Sequence, residues 1–119
     1  MTRSEALDQA VRFGAPLPSL TANLGPFTAG HVSPQATIRK SDVVAVLERF
    51  IEGELTPEDV CGWAELLETR DDVDVEDSTD EIVATVFFWL ANPTINFPNG
   101  RLEVDHARSL RDRIQAAAV

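Results

Sequence analysis

From Ser41 to Leu67 apolar residues return every three or four positions, a spacing that lines one face of a helix and gives a strand no consistent inner side. Val43, Val46, Leu47, Phe50 and Ile51 make the first such face, with Glu48, Arg49 and Glu52 opposite. Ser41 is placed to cap this helix and Gly53 to end it. Thr56, Pro57 and Asp59 then open another, with a hydroxyl acceptor at the cap, a proline at the first helical position and an acid at the third. Val60, Trp63, Ala64 and Leu67 form its apolar stripe, while Glu58, Cys61, Gly62 and Glu65 lie roughly opposite.

The same reading extends to the C-terminus. Asp71, Asp72, Asp74, Glu76 and Asp77, interrupted by Val73 and Val75, read as an acidic connecting loop, after which Ser78 and Glu81 have capping-box spacing. Ile82, Val83, Val86, Phe87, Phe88, Trp89 and Leu90 are apolar nearly all the way round, as expected of a core helix covered on more than one side. If one side of it is uncovered, that side is a partner surface, and a homodimer through it is the simplest way to hide it. Asn92 and Pro93 end this helix, and Pro98, Asn99 and Gly100 mark a turn. A last helix is predicted from about Glu103, with Val104, Ala107, Leu110 and Ile114 inward.

The first forty residues are organised differently. Thr2 and Glu5 have capping-box spacing and Leu7, Ala10 and Val11 follow at helical intervals, predicting a short helix over about 3–13. Residues 14–37 hold Gly14, Pro16, Pro18, Gly25, Pro26, Gly30 and Pro34 and no Asp, Glu, Lys or Arg, which predicts a loop or extended arm. Leu17, Leu20, Leu24, Phe27 and Val32 favour packing of that arm on the helices. The expectation is an all-α, single-domain bundle of four to five helices: residues 1–40 a short helix plus a proline-rich arm, residues 41–119 an acidic helical bundle. A length of 119 residues suits one domain. Cys61 is the one cysteine, so no intramolecular disulfide forms and a reducing compartment fits. The longest apolar run, Ile82 to Ala91 broken by Thr85, is far short of a membrane span, and MTRSEALDQAVRF lacks an apolar signal core. A cytoplasmic protein is expected.

Charge narrows the function. Residues 41–100 carry fifteen acidic and two basic side chains, a formal −13, against −10 for the whole chain. Such a field repels nucleic acid and anionic membrane and speeds the approach of basic partners. Glu58, Glu65, Glu68, Asp71, Asp72, Asp74, Glu76 and Asp77 are the candidate residues for an acidic surface that binds a basic protein. The bland reading of the connector acids is a solvated loop that also complements the positive end of the following helix.

Chemistry is sparse. The sequence has no phosphate-binding glycine loop, nucleophile elbow, histidine pair or cysteine pair. His31 and His106 are expected to be surface or packing residues, and the field of Glu58 and Glu65 should raise the Cys61 pKa and keep it from acting as a nucleophile. Asp72, Asp74 and Glu76 alternate as calcium ligands do, but the glycine and glutamate positions of an EF-hand counted from Asp72 hold Asp77 and Val83. No catalytic residue, cofactor or metal is expected. The rival readings are a helical domain whose acidity serves only solubility and an enzyme of unrecognised type.

The stretch LERFIEGELTPEDVCGWAELLETRDDVDVE, followed by FFWLANPTINFP, resembles small bacterial helical proteins and in kind resembles the acidic immunity proteins that neutralise nuclease toxins. The resemblance covers residues 47–98 and rests on Gly53, Trp63, Ala64 and the turn from Leu90 to Pro93. It implies an acidic surface that occupies a basic site on a partner.

Overall fold

A computed structural model describes residues 2–27, 36–70, 72–76 and 81–116. Among them lie seven helices and one small sheet, in the order α1 (Arg3–Val11), α2 (Leu17–Leu24), β1 (Ala36–Ile38), α3 (Lys40–Ile51), α4 (Pro57–Glu68), β2 (Val73–Val75), α5 (Ile82–Ala91), α6 (Pro93–Asn96) and α7 (Val104–Ala116). The chain is therefore mostly helical, as its periodicity predicts, with α2, α6 and the two strands going beyond the expected four to five helices.

Local chemistry explains most of these boundaries. Thr2 and Thr56 each cap a helix in full: the Thr2 hydroxyl accepts from Glu5 N–H and the Thr56 hydroxyl from Asp59 N–H, while the acids return the bond to the cap N–H groups. At α3 the cap is Arg39 and not Ser41; the Asp42 carboxylate accepts from Arg39 N–H at 2.8 Å, so an acid at the third position supports the end without a hydroxyl. Gly53, at φ +84°, makes the left-handed exit after α3. Glu81 also sits in the left-handed region, at φ +52°, directly before Ile82, so α5 begins later than the Ser78–Glu81 spacing predicts. Ser78 lies outside the described residues.

The predicted arm is in part a helix. Pro16 is the cap of α2 and Pro18 stands at its second position, where a missing N–H breaks no intrahelical bond, and Gly25 closes the other end. The breakers thus bracket eight helical residues and do not prevent them. Leu20 and Leu24 are buried, and Leu17 packs so closely on α4 that a Cβ at Gly62 would lie 2.4 Å from Leu17 Cδ2. Gly62 therefore lies under α2 and is half-buried. Val32 and His31 lie outside the described residues.

Part of the acidic connector is a strand. β2 pairs in parallel with β1, with Ala36 opposite Val73, Thr37 opposite Asp74 and Ile38 opposite Val75. A parallel pair needs a long crossover, which α3 and α4 supply.

The buried apolar residues form one cluster from Ala6 to Ile114. Trp63, fully buried, stands at its centre: its ring stacks on Phe13 at 6.3 Å and meets Phe87 edge-on at 5.4 Å, while its Nε1–H donates to the Ala10 carbonyl at 2.8 Å. α4 packs chiefly against α5, and α3 against α7. Ala107, Leu110 and Ile114 of α7 are buried as expected, but Val104, at the very start of the helix, is exposed. Trp89 is half-buried under the guanidinium of Arg113. Among the described residues no helix is long and apolar enough to cross a membrane.

Candidate functional site

The candidate acids separate into two groups. On α4, Glu58, Glu65 and Glu68 are exposed, spaced so that they run down one side of the helix opposite buried Val60, Trp63, Ala64 and Leu67. Glu58 makes a surface ion pair with Arg101 at 3.5 Å, and Glu68 accepts a long hydrogen bond from Asn92 Nδ2 at 3.4 Å. On β2, Asp74 is exposed and Glu76, just beyond the strand, is half-buried. Asp71 and Asp77 lie outside the described residues.

Asp72 departs from the expected surface. It is 0% exposed, and its carboxylate accepts from Arg3 Nη1 at 2.8 Å and from Arg70 Nε and Nη2 at 2.9 Å each. Burial alone would raise its pKa; the hydrogen bonds from Arg70 and Arg3 outweigh that and hold the carboxyl below its usual range. Arg70 also donates to the Phe27 carbonyl, and the Arg3 guanidinium lies 5.7 Å from the Phe27 ring. One carboxylate therefore ties α1, the segment after α2 and the start of β2 together. Glu76 is also turned to structural use: its Oε2 accepts Lys40 N–H, in the first turn of α3, at 2.7 Å. Neither partnership shows in local spacing, since Arg3 is 69 residues from Asp72 and Lys40 is 36 from Glu76.

Two apolar grooves border the α4 acids, and the sequence pattern does not single either out. The first, about 230 Å³, is lined by Pro57, Val60, Cys61, Gly62, Leu90, Pro93 and Leu102, with Glu58, Glu65 and Arg101 also on it. The second, about 240 Å³, is lined by Ile38, Leu67, Val73, Val75, Ala84, Phe87 and Phe88, with Glu68 and Arg70 also on it. Phe88 is 48% exposed at this groove. The available signal was the pair Phe88 and Trp89, which widens the apolar surface of α5 beyond one face.

The remaining candidate groups have ordinary surroundings. The Cys61 thiol is half-buried and lies 3.6 Å from Glu65 Oε1. Burial first, then the charges of Glu65 and Glu58, push its pKa up to about 11, so it stays protonated at neutral pH. His106 packs edge-on against Phe97 at 4.7 Å. Among the described residues no group of three or more His, Cys, Asp or Glu could hold a metal ion, and Asp72, the first of the alternating acids, is committed to two arginines. No protein-family model, curated protein or solved structure matches the chain.

Proposed function

We propose that the chain is a noncatalytic binding protein that presents an acidic surface to a basic protein. The observation that carries this reading is the row of exposed carboxylates Glu58, Glu65 and Glu68 on α4, within a segment of formal charge −13. Carboxylates in water lose little by being close together, and they gain when a partner brings ammonium or guanidinium groups against them. Asp74, on β2, is also exposed but alternates with Val73 and Val75, which line a groove with Leu67, and Asp72 does not contribute, because its charge is already neutralised inside the fold. The partner class is the one implied by the resemblance to acidic immunity proteins.

The test is affinity capture from a native lysate at low and moderate salt, followed by association kinetics with the captured protein. A basic protein bound at low salt and released as salt rises is the expected result. The triple variant Glu58→Lys, Glu65→Lys, Glu68→Lys should then associate more slowly and with a flatter salt dependence, since rim charges act mainly on the on-rate. An on-rate unchanged by the triple reversal would overturn the proposal.

A further inference from the structure

We infer that the groove between the end of α4, β2 and α5 is the seat for a basic amphipathic segment of the partner, which inserts one bulky apolar side chain beside Phe88 and pairs a Lys or Arg with Glu68. This deepens the acidic-surface reading and rests on it. The floor consists of Leu67, Val73, Val75 and Phe87, and Phe88 stands at the mouth, 48% exposed. Its volume, about 240 Å³, is below the range of small-molecule pockets, roughly 300–1,000 Å³, and suits a single anchoring side chain. Interfaces concentrate their binding energy on such anchors.

Charge selects the occupant. Among the described residues two charged side chains line the groove: Arg70 is held by Asp72 and the Phe27 carbonyl, whereas the exposed Glu68 carboxylate has only a long hydrogen bond from the neutral Asn92 amide and keeps its charge for an incoming cation. A second copy of the chain is disfavoured, because a twofold contact places the same patch on both sides and would bring two acidic faces together. The groove under Cys61 is the weaker seat, since Arg101 already lies on it, paired with Glu58. An amphipathic helix meets the requirement, its apolar residues at intervals of three and four entering the groove and its cations facing α4.

The experiment uses the full chain and two synthetic peptides of equal length and charge, one with Leu at helical spacing among Lys residues, the other with Gln in place of every Leu. Affinities are measured by fluorescence anisotropy at two salt concentrations, and the contact is located by amide chemical shifts of the labelled protein. The Leu peptide should bind at least about tenfold more tightly than the Gln peptide and shift Leu67, Val73, Val75 and Phe88. Phe88→Ser should abolish that advantage, and so should Ala84→Gln, which fills the groove from an exposed helical position where folding is not at stake. Glu68→Lys should weaken both peptides. Equal affinity of the two peptides, or a Leu advantage that survives both groove variants, overturns the inference and leaves the acidic-surface reading standing. Failure of both peptides to bind in a salt-sensitive way overturns that reading and this inference together. A concentration-dependent dimer in sedimentation that Phe88→Ser dissolves would give the groove to a second copy and overturn it as well.

Discussion

α4 and the segment 72–76 are both acidic, yet their carboxylates have opposite fates. Along α4 the helical period places Trp63 and Leu67 inward, so Glu58, Glu65 and Glu68 remain in water. Around β2 the acids alternate with valines, and two of them are drawn into the structure: Asp72 between Arg3 and Arg70, and Glu76 against the start of α3. Charge density along a sequence thus counts carboxylates without locating them. A helix of twelve residues assigns faces by its own period, whereas a three-residue strand takes its environment from what packs on it.

The contrast is sharpest in stability. Asp72→Asn removes the negative charge between two guanidiniums, and breaking a buried pair on one side typically costs about 3–5 kcal/mol. Glu65→Gln, on the exposed face of α4, should stay within about 0.5 kcal/mol. Urea unfolding of the two variants measures both. A loss below about 1 kcal/mol at Asp72 would mean that the charges of the arginines are satisfied elsewhere, and the contrast would collapse.

Acid titration probes the same difference without that loss of charge at neutral pH. Because the Asp72 pKa is lower in the folded chain than in the unfolded one, its contribution is fully present above the ordinary carboxylate value, about 3.9, and is lost as pH falls through the lowered value. The wild type should therefore lose stability below about pH 4 more steeply than Asp72→Asn does. Parallel unfolding midpoints from pH 6 to pH 2 would remove Asp72 as the cause.

A smaller effect separates Asp74 on β2 from Glu76 just beyond it. Glu76→Ala gives up the hydrogen bond to Lys40 N–H at the positive end of α3 and should cost about 1 kcal/mol, while Asp74→Ala, at an exposed position, should cost less than about half of that. Equal losses at the two positions would show that the hydrogen bond to α3 adds nothing.

What was legible in the sequence follows the same division. Thr56–Pro57–Asp59 and the α4 stripe were legible because a cap and a helical face involve residues within a few positions of one another. α2 was not, because Pro16 and Pro18 read as breakers until the eight residues after Pro16 are seen to start at the proline-tolerant end of a helix. β2 was hidden because three residues are too few to establish a period against a background of acids. Of the candidate site, the α4 carboxylates could be read from their period, but the ion cluster of Arg3, Asp72 and Arg70 and the groove beside Phe88 exist only once distant segments meet.

The smallest predicted effect tests whether the α4 acids, though exposed, still act on their own helix. Glu65 faces water but lies 3.6 Å from the Cys61 thiol and is second only to burial in raising its pKa to about 11. Glu65→Gln removes the charge while leaving the burial and Glu58, so the thiol pKa should fall and yet remain above the ordinary cysteine value. A thiol fully protonated at pH 8 reacts slowly with iodoacetamide, and the variant should react faster in proportion to its larger thiolate fraction, with no change in folding stability beyond about 0.5 kcal/mol. An identical pH profile of alkylation in the two proteins would show that water screens the α4 carboxylates even at hydrogen-bonding distance. The row Glu58, Glu65 and Glu68 would then act on a partner only through close contact and not through a field that reaches it beforehand.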